Sequence, residues 1–204
     1  MIRFFDVLFS LIGIVFLLPI LIVISVLIKL TSSGPVFYKQ QRVGINNNDF
    51  NVFKFRTMAV DSDKKGLLTV GGKDSRITKV GYYLRKSKLD ELPQLINVFF
   101  GEMSLVGPRP EVRKYVNLYD DNQKKILAIR PGISDWASII YRDENVILEK
   151  SQNPELDYVK KIMPDKIRFN FIYLNNYGIS EYFKIIYFTV VKIIFSSYNV
   201  EKYL

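Results

Sequence analysis

Between Val7 and Ile28 the chain carries no charged side chain, and Leu, Ile, Val and Phe fill most positions. A helix needs roughly twenty apolar residues to cross a bilayer, so part of this protein is built to leave water. A cleaved secretory signal fits poorly, because the run exceeds the roughly 7–15 apolar residues of a signal peptide and no A-x-A-like site follows it. Two details complicate a simple span. Pro19 sits inside the run, where it removes one helix hydrogen bond and crowds the preceding turn. Basic residues flank both ends, Arg3 before and Lys29, Lys39 and Arg42 after, so the charge asymmetry that orients a membrane helix is weak. A helix broken at Pro19 that dips into the membrane and returns to the same face satisfies both details. A kinked ordinary span is the alternative, and the residues alone leave both open.

The 204 residues favour one main domain, and 49% hydrophobic against 24% charged residues argue against disorder. Cysteine and histidine are both absent. Disulfides, thiol nucleophiles, thiolate metal sites and imidazole bases are therefore excluded. Catalysis would rest on carboxylates, Lys, Arg, Tyr, hydroxyls or a hard cation such as Mg²⁺. The formal net charge of +9 calls for an anionic partner: nucleic acid, anionic lipid or a phosphorylated small molecule. A merely basic surface is the bland alternative. Nucleic acid fits the charge but not the apolar anchor, and no nucleic-acid-binding motif appears.

After the apolar run, Thr31 to Pro35 forms a turn, and Val36-Phe37-Tyr38 and Phe50 to Phe55 are short strands of a hairpin joined through Asn46 to Asp49. Asp61 to Ser75 is a polar loop with Gly66, Gly71 and Gly72; glycine stands where a phosphate-binding P-loop has its lysine, so Walker-type chemistry is not supported. Leu92, Leu95, Ile96, Phe99 and Phe100 recur at helical spacing, with Gly101 as the stop. Gly107 to Pro110 and Arg130 to Gly132 are rigid loops, Glu111 to Ile129 is predicted helical, and the chain from Pro154 onward is mostly helical. Tyr182 to Phe195 gives a helix with a narrow polar stripe of Glu181, Lys184 and Lys192. It is too short to span, and lies in the membrane interface or packs into the core. The fold class is α+β, mainly helical: a membrane helix over residues 1–30, then a compact domain over 31–204 with a small β-hairpin and interfacial amphipathic helices.

Ser87-Lys88-Leu89-Asp90-Glu91 leads into the apolar helix. One reading is structural: Ser87 caps the helix with Asp90 as partner in an S-x-x-D box, and acidic groups favour a helix start. The other is chemical. An ionised Asp can attack phosphorus and form an acyl phosphate, and neighbouring helical side chains point about 100° apart. Asp90 and Glu91 would then divide two tasks, such as nucleophile and metal ligand. Cations recur nearby in sequence motifs: Lys54, Arg56, Arg76, Arg85, Arg109 and Arg130. Arginine's planar fork suits phosphate oxygens, and the prolines beside Arg109 fix its backbone.

Several blocks stand in order along the whole chain. They are Gly34-Pro35-Val36-Phe37-Tyr38-Lys39-Gln40-Gln41-Arg42-Val43-Gly44, Phe53-Lys54-Phe55-Arg56-Thr57-Met58, Leu84 to Val98 around the dyad, Gly101 to Pro110, Arg130-Pro131-Gly132-Ile133 and Trp136-Ala137. As a set they resemble the bacterial sugar transferase family, the monotopic phosphoglycosyl transferases. The resemblance implies a re-entrant membrane helix broken near Pro19 and a catalytic domain on the cytoplasmic face of a bacterial plasma membrane. It implies transfer of a sugar-1-phosphate from a UDP-sugar to polyprenyl (undecaprenyl) phosphate with release of UMP, an early step of glycoconjugate assembly. Asp90 would be the nucleophile of a ping-pong reaction, Asp90 or Glu91 would hold Mg²⁺, and Lys54, Arg85 and Arg109 match positions tied to phosphate or donor binding. Arg56 and Arg130 join them as candidates. The partners are the donor, the lipid acceptor and the bilayer; a homodimer stays open.

Two departures stand out. Leu18 precedes Pro19 where many relatives have serine, and Ser138 to Asn145 differs from a Gly/Asn-rich version in some relatives, which leaves the sugar unnamed. The extra N-terminal helices of larger members are not in this sequence, and it resembles a minimal catalytic unit. The rival reading is a non-catalytic, membrane-bound basic scaffold for anionic lipid or an assembly partner, in which Asp90 matters only as a cap worth about 1 kcal/mol.

Overall fold

The apolar run folds as one helix, α1 (Ile2–Thr31), helical on both sides of Pro19. It is long and apolar enough to cross a membrane. Most of its surface is exposed, Val15 and Phe16 in its middle among them, and the residues it buries are Asp6, Ser10, Ile24 and Ile28. Both ends lie on the rest of the chain. The computed structural model describes residues 1–62, 74–142, 144–195 and 198–203. Gly66, Gly71 and Gly72 of the polar loop lie outside them.

The expected hairpin is present and longer than its apolar residues suggest. Strands β1 (Phe37–Val43) and β2 (Asp49–Phe55) pair antiparallel, from Phe37 opposite Phe55 to Val43 opposite Asp49. Asn46 and Asn47 take the left-handed backbone of the connecting turn, which asparagine tolerates. Helix α2 (Lys79–Ser87) is capped by Thr78, whose hydroxyl accepts from Gly81 N at 2.9 Å. Here one sequence reading is corrected. Ser87 does not open a helix; it closes α2, with Oγ donating to Tyr83 O at 2.8 Å and Leu84 O at 3.2 Å. Lys88 then turns the chain at φ +59°, and Asp90 and Glu91 sit on a single 3-10 turn, Leu89–Glu91. The capping box is therefore not formed. Helix α3 (Gln94–Phe100) follows and stops at Gly101, φ +89°, as the apolar spacing implied.

A second sheet is minimal. Strand β3 (Ser104–Val106) runs parallel to β4 (Gly132–Ser134), with Ser104 opposite Gly132 and Val106 opposite Ser134. Beyond it the two rigid loops cross with almost no clearance. A Cβ on Gly132 would stand 2.1 Å from Gly107 N, so only glycine fits there. Between these strands the predicted helix over Glu111 to Ile129 gives way to α4 (Arg113–Val116) and a 3-10 stretch, Gln123–Ala128. Asp120 and Gln123 are the reason: Asp120 Oδ1 accepts from Gln123 N at 2.7 Å and Gln123 Oε1 accepts from Asp120 N at 3.0 Å. Such reciprocal side-chain bonds start a new helical turn rather than continue an old one.

The remainder is helical, as expected from Pro154 onward: α5 (Trp136–Ile140), α6 (Glu144–Glu149), α7 (Pro154–Asp157), a π-helical turn at Tyr158–Ile162, α8 (Met163–Asn175) and α9 (Ile179–Ile194). Trp136 is fully buried among Phe169 and Tyr173 of α8 and Tyr182, Ile185 and Phe188 of α9. A second cluster joins Val43, Tyr115, Tyr158, Ile162 and Ile167. Helix α9 thus has two apolar faces. One is in the core; the other, with Tyr187, Val190, Ile193 and Ile194, is exposed.

Candidate active site

A cavity of about 1110 Å³ opens between the hairpin, the 3-10 turn of the dyad, the Arg109 loop, α5 and α9. Asp90, Glu91, Lys54 and Arg109 meet on its wall. Each is brought by a different element. Lys54 comes from β2, and β2 is held to α3 by buried Asn97, whose Oδ1 accepts from Phe53 N at 2.9 Å and whose Nδ2 donates to Asn51 O at 2.7 Å. Arg109 comes from the loop after β3, held by the tight crossing at Gly132 and by its own N–H, which donates to Asp135 Oδ2 at 3.2 Å. Asp135 also caps α5 through Ser138 N at 2.6 Å.

The two carboxylates of the dyad live in opposite surroundings. Glu91 Oε1 accepts from Lys54 Nζ at 3.3 Å and from Arg109 Nη2 in a close ion pair. Burial opposes its charge, but Arg109 and Lys54 outweigh burial and hold its carboxyl well below the usual carboxylate range. Asp90 is buried too, yet its Oδ1 has no hydrogen-bond partner. Burial pushes its carboxyl above the ordinary value, the charge on Glu91 adds to that, and Lys54, Arg85 and Lys88 pull against it. Two neighbouring carboxylates whose surroundings separate their acidities are suited to separate roles. Glu91 is a fixed anion that organises two cations; Asp90 is an under-solvated oxygen with nothing bound to it.

Lys54 is shaped by the same cluster. Burial pushes its ammonium down to about 8, with Glu91 resisting and Arg109 and Arg42 assisting. Further along the wall, Arg42 Nη1 donates to Glu111 Oε1 at 3.1 Å and to Pro110 O at 3.1 Å, and Tyr158 donates its hydroxyl hydrogen to Glu111 Oε2. Burial works against the charge on Glu111, but Arg42 and Lys166 prevail and its carboxyl stays low.

The other sequence candidates are placed differently. Arg85 borders the cavity with no hydrogen-bond partner among the described residues. Arg76 also borders it and is paired with Asp74. Arg56 reaches the cavity edge, but its guanidinium donates to Ser33 O at 2.5 Å and to Ser32 O and Oγ at 2.9 and 2.7 Å. That clips the hairpin to the end of α1. Arg130 is exposed, apart from the cavity wall, and donates to Gly101 O at 2.9 Å. Glu111 and Asp135 were not singled out from sequence. For Asp135 a signal existed, since an aspartate just before an apolar helical run with serine three residues on has the form of an N-cap.

The donor set also limits what metal could sit here. Among the described residues no group of three or more His, Cys, Asp or Glu side chains converges. A dedicated protein cage is therefore missing there. Mg²⁺ commonly takes one or two carboxylates and fills its shell with water and phosphate oxygens, and Asp90 Oδ1, buried without a partner, fits that mode.

The cavity wall is mixed in character, and its elements contribute differently. Toward α1 and α9 it is apolar, with Phe9, Leu95, Leu105, Phe183, Ile186 and Val190. Polar and aromatic lining comes from Gln40 and Arg42 of β1, Glu111, Tyr158 of the π-helical turn and Lys166 of α8. The lining thus offers both apolar and charged surface around the dyad.

Residues 1–196 match the family model described as "Bacterial sugar transferase". The chain is 43% identical over 142 residues, 68% of its own length, to the UDP-N-acetylgalactosamine-undecaprenyl-phosphate N-acetylgalactosaminephosphotransferase of Aeromonas hydrophila. It is 36% identical over 194 residues, 93% of its length, to the UDP-glucose:undecaprenyl-phosphate glucose-1-phosphate transferase of Klebsiella pneumoniae. To the exopolysaccharide production protein ExoY of Sinorhizobium fredii it is 37% identical over 159 residues, 70% of its length. The matched part is 34% of the first relative, 39% of the second and 70% of the third, so the chain spans little more than a third of the first two. On the family match over nearly its whole length, the chain belongs to the bacterial sugar transferase family.

Proposed function

We propose that this protein transfers a sugar-1-phosphate from a UDP-sugar to polyprenyl phosphate by way of a covalent intermediate on Asp90. The observation that carries the reading is the pairing of a buried, unbonded Asp90 oxygen with a Glu91 already neutralised by Lys54 and Arg109. The names of the relatives supply the substrate classes. In the first half-reaction an Asp90 oxygen attacks the β-phosphorus, the bond from that phosphorus to the bridging oxygen breaks, and UMP leaves with the electron pair. In the second, a phosphate oxygen of the lipid attacks the same phosphorus and Asp90 departs as a free carboxylate. Lys54, Arg109 and Arg85 offset the phosphate charge as it moves, which is where most of the rate gain in phosphoryl transfer arises. When bound at Asp90 or Glu91, Mg²⁺ supplies further positive charge against the pyrophosphate. The apolar lining of the cavity takes the start of the polyprenyl chain and the charged lining takes the donor.

The same reading explains the anchor. Arg3 and Ile28 are 25 residues apart on one helix, about 38 Å along its axis, yet both ends of α1 lie on the same domain. An upright span would leave one set of these contacts across the membrane. A path that enters and leaves on the cytoplasmic face keeps both, bending near Pro19 without interrupting the helix. The exposed apolar face of α9 then lies in the interface beside α1.

A panel of UDP-sugars with polyprenyl phosphate and Mg²⁺, read for nucleotide product, tests the proposal. UMP is expected; release of UDP would make this an ordinary glycosyl transfer and overturn the mechanism.

A further inference from the structure

Two ionic side chains in the first turns of α1 point into the domain rather than toward lipid. Asp6 is buried, and its Oδ1 alone accepts from Ser104 Oγ at 2.9 Å, Leu105 N at 2.9 Å and Tyr182 OH at 3.0 Å. Arg3 donates from Nη1 to Val98 O at 2.5 Å and from Nη2 to Phe99 O at 2.6 Å. Anchoring requires neither, since apolar length suffices for it, and ionic groups in a membrane segment are costly unless paired.

What these bonds hold is specific. Val98 and Phe99 form the last turn of α3; Arg3 supplies a donor to Phe99 O, shares Val98 O with Gly101 N, and places a cation at the negative end of the helix dipole. The opposite end of α3 begins three residues after Glu91. Ser104 and Leu105 belong to β3, whose end lies three residues before Arg109. One short stretch of α1 therefore grips the far ends of both elements that bring Glu91 and Arg109 together. We infer that Arg3 and Asp6 are positioning residues, fixing the α3–β3 corner from the membrane helix so that the Glu91–Arg109 pair forms beside Asp90.

The inference rests on the transfer reading above, and the experiment separates the two. The full chain is placed in bilayer discs with a UDP-sugar that the wild type turns over, and UMP release is measured for Asp6→Ala, Asp6→Asn, Arg3→Ala and Ile12→Ala. Rates are scaled to folded, membrane-bound protein by the emission of Trp136, the single and fully buried tryptophan. For Asp6→Ala and Arg3→Ala, kcat per folded molecule falls on the order of ten- to a hundredfold with donor KM within about twofold, as expected when reacting groups shift by about an ångström. Asp6→Asn keeps an acceptor oxygen and recovers most of the rate. Ile12 is exposed on α1, and Ile12→Ala matches the wild type. Unchanged kcat in Asp6→Ala, or a fall fully accounted for by lost folded protein, overturns the inference and leaves the transfer reading standing. Should Asp6→Ala fail to accumulate, Arg3→Ala carries the same expectation and the same refutation. A wild type that releases no UMP from any donor sinks the transfer reading, and the positioning role with it.

Discussion

Lys54 should set the alkaline edge of activity. Its ammonium lies 3.3 Å from Glu91 Oε1, and burial, only partly resisted by Glu91, brings it down to about 8 from the ordinary 10.5. Above that pH the charged fraction falls tenfold per unit, so at pH 9 roughly one lysine in ten is still a cation. If the cation faces the donor phosphates, kcat/KM for the UDP-sugar should decline above pH 8 with a slope approaching −1. A bound pyrophosphate adds negative charge beside the amine, so kcat should hold to higher pH than kcat/KM. Lys54→Arg keeps a permanent cation and should abolish the edge, even if its different shape lowers the plateau. Lys54→Met should reduce kcat/KM by about a hundredfold below pH 8, and the deficit should shrink at higher pH as the wild type itself loses the cation. Stability moves the other way. Between about pH 8 and 10.5 the folded chain binds fewer protons than the unfolded one. The penalty of keeping this lysine charged, roughly 3 kcal/mol, is therefore fully present below pH 8 and fades as pH rises toward 10.5. At pH 7 Lys54→Met should accordingly melt higher than the wild type. The assay is UMP release at saturating and limiting donor across about pH 6–10 at constant ionic strength. An alkaline edge that persists unchanged in Lys54→Arg refutes the assignment.

Asp90→Asn should end turnover while leaving the protein in the membrane, and removal of a buried, unbonded carboxylate should raise unfolding stability by roughly 0.5–2 kcal/mol at neutral pH. Because burial raises the carboxyl of Asp90 in the folded state, its penalty grows as pH rises through that range and is absent in acid; thermal melts of wild type and Asp90→Asn should converge on acidification. Gly132→Ala places a Cβ 2.1 Å from Gly107 N and should cost about 3 kcal/mol or more, read as a lower urea midpoint, with activity lost as the Arg109 loop moves. Asn97→Ala strands Phe53 N–H and Asn51 C=O and should cost about 2–4 kcal/mol in the same assay; a midpoint equal to wild type would show that water replaces the amide.

The local features were legible because they are written in short stretches. The apolar spacing from Leu92 to Phe100 with Gly101 behind it gave a helix and its end, and two short apolar and aromatic runs around the turn from Asn46 to Asp49 gave the hairpin. The polar side chains of Asp120 and Gln123 redirected the chain inside an otherwise helical stretch, and Ser87 bonded backward to α2 rather than forward. Both outcomes turn on competing local hydrogen bonds, which periodicity does not register. The dyad itself was visible as adjacent acids beside basic motifs. That Lys54 and Arg109, 37 and 18 residues away, converge on one oxygen of Glu91 was not, since it depends on how β2 and the β3 loop are docked. Asp6 illustrates the same limit: its partners stand 98, 99 and 176 residues along the chain.

That last separation has a consequence for biogenesis. A ribosome adds about 5–20 residues per second, so roughly 10–35 s pass between synthesis of Asp6 and of its partner Tyr182. Val98, Phe99, Ser104 and Leu105 are made earlier in that interval, so Arg3 and Asp6 find their other partners first and the Tyr182 bond comes last. The bond set of Asp6 is therefore complete only once the last long helix has been made. Nascent chains arrested before α9 emerges should remain protease-sensitive around β3, however well the helix at the other end is already inserted.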